Sequence, residues 1–184
     1  MEMTKLAFIS VSRFDNNAVT RGAILVTDME TKPLEFRVTG PVRPTPLQKT
    51  LYGDVLEEYI LVNLLALPLL SAIRERPDLI LVRDPVLLYL QPHVEQHVTR
   101  ISKENDLRYG GDDEPQDVIS SLSGRYDPIV LDMHRDFKSA LPEIRKSLST
   151  IFAQRDLLEP FERIQVATEQ VHNQRLGDRD NPGA

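Results

Sequence analysis

The sequence contains no cysteine and no tryptophan, and only 6% of its 184 residues are aromatic. The absence of cysteine excludes disulfide bonds, thiolate catalysis and cysteine-ligated metal centres. Cysteine-free composition fits the reducing cytoplasm, and we expect a cytoplasmic protein. The first apolar stretch, residues 6–12, lacks the basic leader and the cleavage region of a signal peptide, so we expect none.

The sequence also lacks an uninterrupted apolar run long enough to span a membrane. Its most apolar part, residues 60–70, is shorter than the roughly 20 residues that a bilayer requires and contains Pro68. No phosphate-binding glycine loop or nucleophile elbow occurs. The net charge of −6 argues against extended, non-specific binding of nucleic acid, although a local basic patch is an alternative. We expect a protein partner and no membrane.

The composition predicts one folded domain. With 41% hydrophobic residues, the chain is able to bury a full core, and no linker or internal repeat divides it. From His172 onward apolar residues nearly vanish. We therefore predict a single α/β domain over residues 1–171 and a flexible C-terminal tail over residues 172–184.

Two adjacent strands are predicted early in the chain. Residues 22–28 form a short, β-branched apolar run that is typical of a strand buried on both faces. After a turn, residues 34–39 alternate apolar and polar side chains, which indicates a strand with one covered face. The simplest arrangement of the two strands is an antiparallel hairpin.

A long helix is predicted after this hairpin. Thr45 is a suitable N-cap, Pro46 suits the first helical position, and Gln48 completes a capping box. We predict that Pro68 kinks or divides the helix and that Pro77 ends it. Apolar residues at spacings of three and four predict one stripe facing the sheet, namely Leu47, Leu51, Val55, Tyr59 and Val62.

The remaining elements follow in the order strand, short helix, strand, strand and two helices. Residues 78–84 are apolar almost throughout and predict a central strand. Asp84 and Pro85 are a suitable cap and first residue for a short helix. The polar residues 103–123 predict a surface insertion. The other predicted elements are a helix at 86–91, strands at 98–102 and 129–132, a helix at 142–154 and a last helix capped by Asp156.

The order of these elements resembles endonuclease V, a metal-dependent nuclease with a ribonuclease-H-like fold. The resemblance extends in outline over residues 5–165. It implies a single-domain α/β fold, a ribonuclease-H-like mixed sheet flanked by helices. The local sequences that carry it are Tyr59-Ile60, Pro68-Leu-Leu70, residues 77–82 followed by an acidic residue, residues 98–102, and residues 128–135 with Asp132, His134 and Arg135.

The same resemblance implies a broken metal site. Asp84, at the end of its strand, matches one acid of the family, and His134 is a candidate for a histidine after the late strand. Where the family's first strand has an aspartate, this chain has Ser10 and Ser12. Where the family's helix has a glutamate, it has Ala66 or Pro68. Serine and proline do not replace these ligands, so we expect no catalytic residue, no metal and no cofactor.

Other acids offer an alternative site with Asp84. Asp28 ends a neighbouring predicted strand, and Glu57 lies with Glu58 on the long helix, so a relocated Mg²⁺ or Mn²⁺ site can be drawn. The ordinary interpretation is that the aspartates belong to turns or caps and that the glutamates face water. Two further sets are interpreted as surface residues, namely His93 with His97, and the acidic residues 112–114.

Arg37, Arg43 and Lys49 surround the proline-rich entry to the long helix. They are candidates for contact with a phosphate or an acidic partner, because a helix amino end also favours anions. Ordinary surface charge is the favoured alternative. The exposed edge of the second hairpin strand also offers a place for β-augmentation.

The function predicted from the sequence is a non-catalytic binding or assembly subunit. The alternative is a divalent-metal-dependent nuclease with relocated acidic residues around Asp84. A nuclease requires clustered carboxylates and a basic path for its substrate, whereas an interaction subunit requires only an exposed patch and a partner.

Overall fold

The computed structural model describes residues 3–103, 117–121 and 124–179, with side chains described through residue 174. Its strands form one seven-stranded mixed sheet in the order β3-β2-β1-β4-β5-β7-β6. The strands are β1 Lys5–Phe14, β2 Val19–Asp28, β3 Pro33–Val38, β4 Leu79–Val82, β5 His97–Lys103, β6 Val118–Ile119 and β7 Ile129–Met133.

The strands pair in both antiparallel and parallel directions. β1, β2 and β3 are antiparallel neighbours, so the predicted hairpin of β2 and β3 is confirmed. β4 lies between β1 and β5 and is parallel to both, which explains its continuous apolar sequence. β7 runs antiparallel to β5, and β6 pairs with β7 at the edge.

Two apolar cores cover the two faces of the sheet. Leu6 and Phe8 of β1 pack with two helices near the carboxyl end of the chain, α4 Leu141–Phe152 and α5 Glu159–Arg179. Ala7 and Ile9, which alternate with them, pack instead against the long helical segment. The predicted single α/β domain, with a mixed sheet flanked by helices, is thereby confirmed.

The long helical segment, Pro46–Ala72, is divided into five parts. The predicted capping box is present at its start, since the side chain of Thr45 accepts from the amide of Gln48 and the side chain of Gln48 accepts from the amide of Thr45. The parts are α1 Pro46–Tyr52, a 3-10 turn Gly53–Val55, α2 Leu56–Glu58, a π-helix Tyr59–Ala66 and α3 Leu67–Ala72. α3 starts one residue before Pro68, so the predicted division at this proline is observed.

The predicted apolar stripe of this segment is wrong over its first half. Leu47, Leu51 and Val55 are 67%, 72% and 60% exposed, whereas Val62 is buried as predicted. A regular helical phase is not maintained, because Gly53 adopts a φ of 51° and the amide of Leu67 donates to a carbonyl five residues back. The residues that are buried in this segment are Ile60, Leu61, Val62, Leu65, Ala66 and Leu69.

The length and composition of Pro46–Ala72 would also allow it to cross a membrane. A single helix of this kind is weak evidence, because core helices of globular proteins meet the same criteria. Its buried residues pack against Ile24, Val26 and Ile80 of the sheet, in the manner of such a core helix.

A 3-10 helix, Pro85–His93, connects β4 to β5. Its N-cap is Asp84, whose side chain accepts from the amide of Val86 at 3.0 Å, so the predicted cap is confirmed. The predicted insertion at residues 103–123 lies mostly outside the described residues, as do the acidic residues 112–114. Another 3-10 helix, Arg135–Ala140, leads from β7 into α4.

The structure differs from the predicted tail at its amino end. α5 continues through the predicted boundary at His172 to Arg179, and His172 itself is buried. The ring of His172 stacks on Phe14, and its Nδ1 accepts from Nε of Arg21 at 3.0 Å. The predicted start of the tail at His172 is therefore wrong, because the side chain of His172 contacts β1 and β2.

Candidate functional site

The candidate site lies where β1 and β4 end at the same edge of the sheet. The two strands are parallel and Ile9 is aligned with Val82, so Asp84 emerges beside the last residues of β1. In β1, Arg13 alternates with Ser12 and lies on the same face as Ile9. That face is covered by the long helical segment, which places Glu57 of α2 above Arg13.

Arg13 joins the two carboxylates at this edge. Its Nη2 lies 2.6 Å from Oε1 of Glu57 and 3.8 Å from Oδ2 of Asp84. The other oxygen of Asp84 accepts the amide hydrogen bond from Val86 that caps the 3-10 helix. Both carboxylates are thus engaged, by a guanidinium and by a backbone amide.

A divalent-cation pair does not fit this arrangement. Glu57 and Asp84 both approach the guanidinium of Arg13, whose permanent positive charge would repel a cation placed between them. Mg²⁺ and Mn²⁺ require several oxygen ligands that converge on one point. Within residues 3–103, 117–121 and 124–179, no group of three or more histidine or acidic side chains is placed to hold a metal ion.

The residues aligned with the acids of endonuclease V, namely Ser10 or Ser12 and Ala66 or Pro68, supply no metal ligand at this edge. Ser10 and Ser12 lie on the opposite face of β1, with Phe8 and Phe14, because side chains alternate along a strand. Ala66 is buried in the apolar core, and Pro68 is exposed at the start of α3.

Asp28 is not part of the site. It is aligned with Lys5 at the start of β1, at the opposite edge of the sheet. At about 3.3 Å per strand residue, it lies roughly 20 Å from Asp84 along the sheet. Its Oδ1 accepts from the amides of Glu30 and Lys32, so Asp28 organises the turn between β2 and β3.

His134 is also remote from Asp84. Asp132 is aligned with Arg100 and Arg100 with Val82, but β7 runs in the opposite direction to β4. Asp84 lies two residues beyond Val82, and His134 lies two residues beyond Asp132 in the opposite direction. Asp84 and His134 are therefore roughly 13 Å apart along the strand direction, on strands separated by β5. His134 caps the 3-10 helix Arg135–Ala140 and lies near the ring of Tyr89.

Arg37, Arg43 and Lys49, the candidates for contact with an anion, lie on different elements of the structure. Arg37 binds Glu35 on its own strand, with Nη2 to Oε1 at 2.8 Å. Arg43 binds Asp15 of the β1–β2 turn at 3.2 Å, and Lys49 is exposed on α1. Arg37 pairs with Ile24 of β2, and Val42, next to Arg43, pairs with Thr20 of β2. Ile24 and Thr20 are about 13 Å apart along the strand. The structure therefore separates Arg37 from Arg43.

The histidine pair predicted to lie at the surface is divided between two elements. His93 is exposed at the end of its 3-10 helix, and His97 is the first residue of β5. The Nδ1 atom of His97 is buried without a hydrogen bond. The two side chains thus do not share a helical face, as a zinc-binding helix would require.

Arg13 is the site residue that the sequence did not reveal. It is separated from Glu57 by 44 positions, and an arginine at the end of a strand carries no local signal of its partner. Beside the pair, a cleft of about 420 Å³ is lined by Asn17, Thr20, Asp54 and Ile60, among others. The edge thus combines an ion pair with an open, mixed polar and apolar cleft.

The structure is similar to solved structures of endonuclease V. The Streptomyces avermitilis endonuclease V has a TM-score of 0.66 at 13% identity, with 94% of this chain and 82% of that chain covered. Human ENDOV has a TM-score of 0.64 at 14% identity, with 95% and 86% covered. The Ciona intestinalis endonuclease V, in complex with a 24mer DNA containing an inosine followed by a ribo-adenosine, has a TM-score of 0.58 at 13% identity, with 94% and 87% covered.

No protein-family model matches the sequence, and no curated protein sequence matches it. At identities of 12–14%, the structural likeness establishes the fold and not the activity. The resemblance that the order of sequence elements predicted is thereby confirmed, and the chain has the fold of endonuclease V.

Proposed function

We propose that this chain is a non-catalytic binding or assembly subunit, which keeps the endonuclease V fold without its metal chemistry. The observation that carries this proposal is the position of Arg13, whose guanidinium binds Glu57 and faces Asp84. Two-metal phosphodiester hydrolysis requires several carboxylates around cations about 4 Å apart. Arg13 places a permanent positive charge beside Glu57 and Asp84, and within the described residues no three acidic or histidine side chains are placed to hold a metal ion, so this edge does not favour that chemistry.

The proposed partner is a protein. The net charge of −6 disfavours extended contact with a phosphate backbone, and the basic residues Arg37 and Arg43 are occupied by acids of this chain. A composition without cysteine suits the cytoplasm, where we place the complex. No Mg²⁺ or Mn²⁺ is required for this role.

The second candidate is a divalent-metal-dependent nuclease centred on Asp84. It is favoured by one observation, because Asp84 ends β4 where the resemblance to endonuclease V implies an acid, and Glu57 approaches it through Arg13. For this function the guanidinium of Arg13 would have to leave and further oxygen ligands would have to enter. Neither Asp28 nor His134 is close enough to serve.

A nuclease assay decides between the two functions. The purified chain and Asp84→Ala are incubated with Mg²⁺ or Mn²⁺ and with single- and double-stranded DNA and RNA, including deaminated strands. We expect no cleavage by either protein. Cleavage that requires metal and disappears in Asp84→Ala would establish the nuclease, whereas cleavage unaffected by the substitution would indicate a contaminant.

A binding measurement complements the assay and does not depend on the choice of substrate. Titration of Mn²⁺ followed by electron paramagnetic resonance should give the same weak, non-specific binding for the chain and for Asp84→Ala. A stoichiometric site that Asp84→Ala removes would contradict the proposal. Purification of the chain from its native host, with a stoichiometric protein bound, would identify the partner.

A further inference from the structure

β3 is an edge strand of the sheet, and its outer side is open to another strand. Within the described residues no strand pairs with this side. An edge strand presents amide and carbonyl groups that can pair with a further chain. Pro33 and Pro41, which have no amide hydrogen, flank the strand and limit such pairing to residues 34–38.

The hydrogen bonds between β2 and β3 show which backbone groups of β3 face outward. The amide of Thr39 donates to the carbonyl of Gly22 at 2.9 Å, and the register continues without a shift along Val38, Arg37 and Phe36. Hydrogen-bonded and non-hydrogen-bonded pairs alternate along an antiparallel ladder. The amide and carbonyl of Arg37 therefore face β2, whereas those of Phe36 and Val38 face outward.

Two opposite charges lie on one face of this edge. Nη2 of Arg37 is 2.8 Å from Oε1 of Glu35, and the side chain of Arg37 is 45% exposed. The amides of Arg74 and Glu75 donate to the other oxygen of Glu35 at 2.7 and 2.9 Å, so this carboxylate is held in place. β3 thus presents a fixed anion and, two residues further on, an exposed cation.

The apolar side chains of β3 are only partly covered by their own chain. Phe36 and Val38 are half-buried at the margin of the core on the side of α5. Leu34 is 45% exposed and lies in a β-bulge, where the register shifts between Val26 and Thr27. A bulge shortens the stretch of an edge that can pair, so we expect a short contact.

We propose that β3 pairs with β3 of a second copy of this chain, antiparallel about a two-fold axis through Phe36, so that the two sheets join edge to edge. A two-fold axis brings one surface together with itself, so the surface must be self-complementary. In this register the outward backbone groups of Phe36 bond those of Phe36 in the second copy. Each Glu35 faces Arg37 of the second copy, and the two ion pairs form one cluster of alternating charge.

Charge distinguishes this register from its symmetric neighbours. An axis through Glu35 would place the two Glu35 carboxylates opposite each other, and an axis through Arg37 would do the same with the two guanidinium groups. Like charges directly opposite each other destabilise a strand pair, whereas opposite charges stabilise it. Of these three registers, only the axis through Phe36 places opposite charges together and brings the outward groups of Phe36 to their own counterparts.

A second copy suits the edge better than an unrelated extended peptide. A peptide would satisfy the backbone groups equally well, but the alternating charges of β3 already complement β3 itself. The inference rests on the proposed function in so far as it names a partner for an assembly subunit. It involves none of Arg13, Glu57 and Asp84.

Sedimentation equilibrium of the full chain tests the contact. We expect a weak, concentration-dependent dimer, because the contact is short. Its dissociation constant should rise about tenfold or more in Arg37→Glu, which places Glu35 opposite a second carboxylate. The matched control is Arg135→Glu, the same change of charge at an arginine whose side chain is 89% exposed, which should leave the dimer unchanged. Circular dichroism establishes that each variant is folded.

A charge exchange tests the pairing of Glu35 with Arg37. Glu35→Lys should weaken self-association by about the same factor as Arg37→Glu, because it places two cations opposite each other. An equimolar mixture of the two variants should restore a mixed dimer, in which every facing pair has opposite charges. Failure of two folded variants to associate with each other would overturn the register.

A cysteine introduced at the axis tests the register without changing Glu35. The chain has no cysteine of its own, so a single introduced thiol gives an unambiguous cross-link. In Phe36→Cys the two Cα atoms would be about 5.5 Å apart, within the range of a disulfide, and mild oxidation should give a covalent dimer. In Leu34→Cys, the control, the two thiols would be about 13 Å apart along the strands and should not join. Cross-linking of the control alone would contradict the register.

The remaining outcomes are also decisive. A monomer at up to about 100 μM, or a dimer that Arg37→Glu does not weaken, would overturn the contact. Protection of the Phe36 and Val38 amides from hydrogen exchange by a different co-purified protein, with the chain itself monomeric, would assign the edge to that protein instead. A monomer without nuclease activity removes this inference and leaves the proposed function, whereas a dimer with cleavage that depends on Asp84 does the reverse.

Discussion

The imidazole ring of His172 stacks on the ring of Phe14, with centroids 4.0 Å apart and planes 9° from parallel. The same imidazole accepts a hydrogen bond from Nε of Arg21, and Nη1 of Arg21 donates to the carbonyl of Thr39 at 2.9 Å. Arg21 is buried in β2, so these contacts fasten α5 to the first strands of the sheet. The part of α5 that contains His172 is therefore a structural element of the domain.

His172→Ala should lower the free energy of unfolding by about 1–3 kcal/mol. The substitution removes an aromatic stack and takes one hydrogen-bond acceptor from a buried arginine. For a chain of this length, the melting temperature should fall by about 2–4 °C per kcal/mol, measured by differential scanning calorimetry. Gln170→Ala, at an exposed position of the same helix, should stay within about 0.5 kcal/mol. Equal melting temperatures for the two variants would contradict the described packing.

Leu65→Ala should destabilise the protein by about 2–5 kcal/mol, whereas Leu51→Ala should change its stability by less than about 0.5 kcal/mol. Leu65 is buried between the π-helix and the sheet, and its truncation leaves a cavity. Leu51 is exposed on α1. Urea denaturation measures both effects. A larger loss of stability in Leu51→Ala than in Leu65→Ala would instead support the regular helical phase that the sequence predicts.

The contrast between these two leucines shows which features of the fold the sequence specifies locally. Thr45 and Gln48 form their capping box because both partners lie within one helical turn, and Asp84 caps Val86 for the same reason. The phase of the helix depends instead on Gly53, whose positive φ redirects the chain after α1. A periodic count of apolar residues assumes a regular helix and so assigns the exposed leucines to the core.

Gly22→Ala should cost about 1–3 kcal/mol, because the helix packs directly on this position of β2. A Cβ at residue 22 would lie 2.9 Å from Cβ of Leu65 and 3.2 Å from Cδ1 of Leu69. The Cβ of Leu65 is fixed by its own backbone, so the helix would have to shift. Gly40→Ala is the matched control, since no atom lies within 4 Å of its added methyl group. Thermal unfolding should show a loss for the first variant and little change for the second.

The carboxylate of Asp78 should make the stability of the domain fall in acid. Burial raises the pKa of Asp78, but hydrogen bonds from the amides of Thr4 and Lys5 and from the hydroxyl of Thr4 outweigh it, so the pKa lies below its ordinary value of 3.8. The stabilisation is therefore fully present above about pH 4 and is lost as the pH falls through the lowered pKa. Urea midpoints measured between about pH 5 and pH 3 should fall less steeply in Asp78→Asn. Equal slopes would contradict this role.

The candidate site was only partly predictable, because its partners come from distant parts of the chain. Asp84 was placed at the end of β4 by the apolar run before it, which is a local signal. The ordinary interpretation of the sequence has Glu57 facing water, and Glu57 is exposed while also binding Arg13. The guanidinium reaches this position because β1 and β4 are parallel neighbours, a pairing that the two strand sequences alone do not specify.

Asp84 is expected to act as a helix cap, and two substitutions separate this role from metal binding. Asp84→Ala removes the acceptor for the amide of Val86 and should lower the free energy of unfolding by about 0.5–2 kcal/mol. Asp84→Asn keeps a side-chain oxygen at the cap and loses only the negative charge that faces Arg13. Because this ion pair is long, at 3.8 Å, the free energy of unfolding should fall by only a few tenths of a kcal/mol. Chemical denaturation measures both variants. A metal ligand would behave differently, because Asn would remove the charge that a divalent cation needs. If Mg²⁺ stabilised the unchanged protein and both variants lost that stabilisation, Asp84 would be a ligand and the capping role would be secondary.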